Sequence, residues 1–203
     1  MSTISGPSLQ CPAVTTALPL RTDRLLLRPL APQDRLEFIR VHQVSRSFWA
    51  PWTSTDHPGE SPEEMFDRRL ADSRRGFDDG TACRLVGFLH DGRIAGFFGV
   101  SQIFRRSFNN AYIGWSVSAE VARQGYGTEG LTAILDFAFA PEALGLHRLQ
   151  ANVIPENVPS LCLAEKVGFR REGLARRYLH IAGAWRDHFM YAKTTEEHRS
   201  PYG

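Results

Sequence analysis

Gly125-Tyr126-Gly127-Thr128-Glu129-Gly130 stands between an alternating run, Asn109 to Ser118 (NNAYIGWSVS), and an apolar-striped segment that continues through Phe139. A glycine-rich turn from a strand into a helix presents successive free backbone N–H groups, and the helix dipole adds positive potential, so such a turn can hold a phosphate. Glycine also admits the backbone angles required and lets a ligand approach closely. The segment matches G-x-G-x-x-G, the dinucleotide fingerprint, which is weak on its own. A Rossmann unit places that loop after the opening strand of a parallel array, with an acid near the end of the following strand. Here the loop comes late in the chain, and the next run, His147 to Ile154, ends without an acid; Glu156 lies beyond Pro155. No Gly-Lys-Ser/Thr follows, which removes a Walker loop. A phosphate cradle on another α/β fold and a turn that only tightens strand against helix both stay open at this point.

Reading upstream, Cys83 to His90 is an apolar run, Asp91-Gly92 a hairpin turn and Arg93 to Ile103 a second strand, so the loop closes an antiparallel meander. Before it, Arg24 to Leu30 (RLLLRPL) reads as a short strand closed by Pro29 and Pro32. A helix is expected over 33–44 with Leu36 and Ile39 on one face, then a Trp-rich loop, Phe48-Trp49-Ala50-Pro51-Trp52. Ser61-Pro62-Glu63-Glu64 carries the N-cap, first-turn proline and early acids of a helix running to about Arg75. Downstream, Leu131, Ile134, Leu135 and Ala138 recur at helical spacing, His147 to Ile154 is a strand, and Asn157 to Val167 a helix ended by Gly168. Arg170 to Lys193 reads as two strands joined at Ala182-Gly183, with Trp115 and Trp185 expected in the core. The order β-α-α-β-β-β-α-β-α-β-β describes one α/β domain over 18–197, after a flexible lead-in at 1–17 and before a tail at 198–203.

The 203 residues are 42% apolar and 23% charged, ordinary for a globular chain able to bury a core without staples. A formal charge of +2 gives no argument for a nucleic-acid partner. No apolar run approaches the roughly 18 residues of a membrane span, and MSTISGPSLQCPAV lacks the regions of a signal peptide. Cys11, Cys83 and Cys162 are too scattered for a zinc site or a disulfide framework, so no metal is expected and a reducing, cytoplasmic setting is the expectation.

Three blocks carry a family likeness: Tyr112-Ile113-Gly114-Trp115-Ser116-Val117; Ala122-Arg123-Gln124 running into the glycine loop; and Asn157-Val158-Pro159-Ser160 leading to Glu165-Lys166-Val167-Gly168-Phe169. In order and spacing they resemble the GNAT N-acetyltransferase superfamily, in its RimJ/RimL-like branch that acetylates protein N-terminal amines. The opening RTDRLLLRPL and the late Gly183-Ala184-Trp185-Arg186-Asp187 are similar too, so the likeness covers about 20–195. The resemblance implies a mixed, largely antiparallel sheet whose central strands, 110–118 and 147–154, splay apart. It implies acetyl-CoA lodged between them: amides from Arg123 through Gln124, Gly125, Tyr126 and Gly127 to Thr128 around the pyrophosphate, and the backbone of Ser116 and Val117 paired with pantetheine. Arg123 either reaches a CoA phosphate or is a solvated loop residue. Ala122 departs from the Gln or Arg usual at that place.

Acetyl transfer from a thioester needs a neutral amine, a site for the oxyanion and a proton for the departing thiolate. By the family pattern Asn157 bonds the pantetheine or substrate region and Ser160 protonates the CoA sulfur; both also suit helix capping. Many members carry a glutamate where this chain has Tyr112, and an ordinary tyrosine, with pKa near ~10, is a poor base. Tyr112, Glu129 and His180 are the candidates to relay the proton. An α-amine, with pKa about 8, is partly neutral at physiological pH, whereas lysine at about 10.4 needs a stronger base. Phe48, Trp49 and Trp52 border the acceptor cleft or pack the core. Arg105-Arg106 is either a solvated turn or an attraction for an acidic or ribosomal partner. The leading reading is an acetyl-CoA-dependent N-acetyltransferase acting on a protein N-terminal amine, such as that of a ribosomal protein. Polyamine or antibiotic acetylation, a non-catalytic acyl-CoA module and a dinucleotide oxidoreductase are the alternatives, with oligomeric state left open.

Overall fold

The computed structural model describes residues 18–53, 57 and 59–199. The expected lead-in at 1–17 lies outside them, as do residues 200–203. Strands are β1 (Leu20–Arg21), β2 (Leu26–Arg28), β3 (Ala82–Phe88), β4 (Ile94–Phe104), β5 (Asn110–Val117), β6 (Arg148–Val153), β7 (Arg170–Ile181) and β8 (Ala184–Thr194). Helices are α1 (Arg35–Trp49), α2 (Pro62–Asp78), α3 (Tyr126–Phe139), α4 (Val158–Lys166) and α5 (Thr195–Arg199), the last crossing the boundary expected at 197. All eight strands form one sheet in the order β1-β2-β3-β4-β5-β6-β8-β7. Every neighbouring pair is antiparallel except β5 and β6. That parallel pair holds only across Asn110–Tyr112 and Arg148–Gln150, and beyond it the two strands diverge. The splay sits in the middle of the sheet.

Both faces of the sheet are covered, so β3 reads as a nearly continuous apolar run. Cys83 and Leu85 join the core under α3, with Leu131, Ile134 and Leu135. Val86 and Phe88 point the other way, to Phe38, Val41 and Phe66 of α1 and α2. Each such Leu or Phe contributes roughly 1.5–3 kcal/mol on burial. The α1 stripe is Phe38, Val41, Ser45 and Trp49, which prolongs the helix one turn beyond the expected end at 44. Leu36, expected on the buried face, is 81% exposed, because the 3.6-residue period through Phe38 turns it to solvent. Trp115 packs against the core as expected. Trp185 does not: it lies near the β7–β8 turn and is 63% exposed.

Local signals fix several boundaries. Ser61 Oγ accepts from the Glu64 amide while Glu64 accepts from the Ser61 amide, a reciprocal cap that starts α2. Gly168, with φ +85°, ends α4, and Lys193 Nζ donates to the Val167 carbonyl at 2.7 Å. Arg105 donates to the Leu144 carbonyl at 2.5 Å, so it braces the turn after α3.

Candidate active site

The three glycines of the loop have three different physical reasons. Gly125 is the N-cap of α3 and takes φ +89°, a left-handed angle that costs other residues strain. Gly127 lets the first turn of α3 approach its neighbours: a Cβ there would stand 3.1 Å from Leu163 and 3.2 Å from Val117. Gly130 seats the helix on the sheet, since a Cβ would fall 2.4 Å from the buried Phe98 ring. Tight packing therefore accounts for Gly127 and Gly130, and it does not exclude a cradle. The first main-chain bond of α3 runs from the Glu129 amide to the Gly125 carbonyl at 3.1 Å. The amides of Tyr126, Gly127 and Thr128 precede it, and a glycine cap supplies no side chain to them. Donors at the positive end of a 14-residue helix are chemistry suited to a pyrophosphate.

This segment is pinned from two sides. Glu129 accepts from Thr22 Oγ1 at 2.6 Å, from the Arg24 amide at 2.8 Å and from Arg24 Nε at 2.7 Å. Arg24 also donates to the Gln124 carbonyl at 3.0 Å and lies over the Tyr126 ring at 4.2 Å. Burial pushes the Glu129 carboxyl up, but these donors outweigh it and hold it below its ordinary value. Glu129 is thus a clamp, and its expected part in proton relay is corrected. From the other side, α1 holds the approach to the loop: Ser45 Oγ accepts from the Ala119 amide at 3.1 Å, and Arg40 bonds Glu120 at 2.8 Å.

Trp49 completes that seam. Its Nε1 donates to the Val117 carbonyl at 2.8 Å, and its ring packs on His42 and Phe97. It is buried at the end of α1, not on a loop, so the expected acceptor contact is corrected to a core one. Burial among these rings lowers His42 to about 4, with Arg69 adding to the effect. Trp52 lies half-buried in the turn beyond, its amide bonded to the Trp49 carbonyl.

The outer edge of β5 is the second element. The Ser118 amide bonds Ala95 on β4, and Asn109 accepts from Arg148 on β6. Strand alternation then turns the main-chain groups of Ser116 toward β4, and those of Ile113, Trp115 and Val117 toward the splay. Of the pantetheine pairing expected at Ser116 and Val117, the part at Ser116 is corrected, since its main chain is engaged with β4; the Val117 amide stays open, as do the main-chain groups of Trp115.

Asn157 is the N-cap of α4, its Oδ1 accepting from the Ser160 amide at 3.3 Å. Ser160 stands half-buried one turn before Leu163, on the α4 face that touches Gly127, and its hydroxyl has no hydrogen-bond partner among the described residues. Cys162 is exposed elsewhere on α4. His180 pairs with Trp185 near the exposed β7–β8 turn, away from the splay. Arg123 and Gln124 are exposed on the loop, Arg123 with φ +66°.

Tyr112 lies where the parallel pairing ends, opposite Gln150. Residues absent from the sequence reading meet it there. Asn152 Nδ2 donates to the Tyr178 hydroxyl at 3.2 Å. Burial first, and Tyr112 second, raise the Tyr178 pKa. His188, buried beneath Tyr178, is pushed down by desolvation. Among the described residues no cluster of His, Cys, Asp or Glu could hold a metal ion, and no helix is long and apolar enough to cross a membrane.

A splayed parallel pair in the middle of a largely antiparallel sheet, with an open β5 edge leading to a glycine-capped helix, defines a CoA-dependent acyltransferase. The acetyltransferase (GNAT) domain matches residues 24–170, and the chain belongs to that family. It is 31% identical over 179 residues to the [ribosomal protein uS5]-alanine N-acetyltransferase of Escherichia coli (strain K12), covering 88% of this chain and 91% of that protein. Mycobacterium smegmatis RimJ in complex with CoA-disulfide superposes with a TM-score of 0.79 at 31% identity, over 87% of this chain and 84% of that one. The ribosomal-protein-S5-alanine acetyltransferase of Vibrio fischeri gives 0.78 at 26%, over 89% and 98%. The chain is an acetyl-CoA-dependent N-acetyltransferase, and the dinucleotide and non-catalytic readings fall away.

Proposed function

We propose that the acceptor is the α-amine of a protein N-terminus, a ribosomal protein being the class the relatives suggest. Acetyl-CoA supplies an activated acyl carbon; the chain holds it and readies the amine. The loop amides from Tyr126 to Thr128 meet the pyrophosphate, and the edge of β5 at Trp115 and Val117 meets pantetheine. As the neutral amine attacks the acyl carbon and the C–S bond breaks, Ser160, on the α3–α4 side of the sheet, gives its proton to the departing sulfur, and the proton shed by the amine nitrogen restores the hydroxyl. The splay is a passage to the opposite, α1–α2 side, where the amine enters.

The observation that carries this reading is the floor on that side. Tyr112, Gly114, Gln150 and Asn152 face it by strand alternation and register, and none is a carboxylate. These four residues offer a polycation no countercharge, while a single α-amine with pKa about 8 needs none to become neutral. Gly114 is exposed, with nothing within 4 Å of the place a Cβ would occupy, which leaves room for an extended chain end.

The test is acetyl-CoA with three acceptors: a peptide with a free α-amine, the same peptide blocked at the α-amine but carrying lysine, and a polyamine. The first is acetylated fastest, and its rate climbs with pH through about 8, the amine's own titration. Faster acetylation of the polyamine or of lysine would overturn the acceptor class.

A further inference from the structure

We infer that Tyr178 is a positioning residue of the acceptor side, fixing the Tyr112 hydroxyl at the splay so that it meets the incoming amine. The inference rests on the acetyl-transfer reading of the same site. It begins in the backbone of β7. Ala175 pairs with His188 and Leu179 with Arg186, so Arg176, Arg177 and Tyr178 together oppose Asp187 alone. Arg177 takes φ +47°, and its amide is held by Asp187 Oδ1 at 2.7 Å. A bulge of this kind re-aims a side chain, and backbone held at a rare angle is commonest beside functional sites.

The side chain it re-aims belongs to the edge strand but ends at the centre of the sheet. The Tyr178 ring lies edge-on to His188 of β8, with centroids 5.5 Å apart. Its hydroxyl accepts from Asn152 of β6 at 3.2 Å, beside Gln150, which stands opposite Tyr112 of β5, and Tyr112 in turn raises the Tyr178 pKa. The supports are themselves supported. Asn152 Oδ1 accepts from Gln150 Nε2 at 3.2 Å, and His188 Nδ1 lies 3.1 Å from the Arg186 carbonyl. With Asn152 as its donor, the Tyr178 hydroxyl is free to donate to the Tyr112 oxygen. Tyr112 keeps its own O–H and one lone pair for the splay, the capacity an amine needs in order to be oriented. A tyrosine serving only to cover the sheet edge requires neither the bulge nor a hydroxyl aimed two strands inward.

The experiment uses Tyr178→Phe, Tyr112→Phe and the double variant, each of which keeps the rings. Tyrosine titration followed by NMR needs no turnover: in Tyr112→Phe, Tyr178 titrates at lower pH than in the wild type. An unchanged titration overturns the pairing. In steady-state assays Tyr178→Phe lowers kcat about tenfold with the KM for acetyl-CoA unchanged, and the double variant is no slower than Tyr112→Phe alone. A wild-type kcat in Tyr178→Phe, or losses that multiply in the double variant, overturn the positioning role. A wild-type protein that binds acetyl-CoA yet acetylates no amine refutes the acetyl-transfer reading instead, and the titration still decides the tyrosine pair.

Discussion

The two sides of the splay are built by different means. Around the glycine loop main-chain amides are the donors on offer, and the side chains of Thr22, Arg24, Arg40, Ser45 and Trp49 spend their polar atoms holding Gln124, Glu129 or the segment 117–120. On the side of β7 and β8 it is side chains that converge, from strands far apart in sequence: Tyr178 of β7 meets Asn152 of β6 and His188 of β8. The loop side is clamped and tolerates little change. The ribbon that carries Tyr178 leaves Leu174, Leu179 and Trp185 in solvent. An anion is met by amides whatever the side chains are, so one end of the site needs only backbone geometry. Recognition of an acceptor needs particular groups.

The largest loss comes from the packed glycine. Gly130→Val drives a branched side chain into Phe98, an overpacking cost of about 3 kcal/mol. For a chain of this size that is a fall in Tm of roughly 6–12 °C. A thermal melt within a degree of wild type would show that the helix is not clamped to the sheet.

A smaller effect is expected from Glu129→Gln, read as stability against pH. The folded Glu129 carboxyl titrates below its unfolded value. Its stabilisation is therefore complete above the unfolded pKa of about 4.3 and is lost as pH falls through the lower, folded one. Denaturant titrations should find the variant weaker than wild type at pH 7, by about 1.5–3 kcal/mol for lost charge-assisted bonds. The difference should shrink as pH falls below about 4. A constant difference across that range would contradict the clamp.

The smallest effects sharpen the contrast between two tryptophans. Trp49→Phe removes a buried hydrogen bond to Val117 and costs about 1 kcal/mol. Trp185→Ala, on the exposed ribbon, changes stability by no more than about 0.5 kcal/mol. The reverse ranking in chemical denaturation would mean that the ribbon, not α1, braces the sheet.

The same division explains what could be read from the sequence. The glycine loop, the meander before it and the helix after it are local patterns, and each lies where the residues placed it. So does α4, because Asn157 and Gly168 are end signals in themselves. The end of α1 is not legible locally, because Pro51 and the aromatics around it resemble a loop, while the buried stripe runs on to Trp49. The direction of the Ser116 main chain is not legible either, because which strand edge a residue presents depends on pairing partners, here fixed by Ser118 and Asn109. The clamp on Glu129 and the convergence on Tyr178 were invisible for a further reason. Thr22, Arg24, Asn152 and His188 meet them only once an eight-stranded order and a bulge are known.

The central claim is that main-chain amides of the loop and the open edge of β5 together receive CoA. The most direct measurement is amide NMR of the protein titrated with CoA. The account predicts the largest shifts at Gly125 to Thr128 and at Trp115 and Val117, with little change along β1 and β2. Saturable binding that leaves the Gly125–Thr128 amides unmoved while shifting those elsewhere would contradict it.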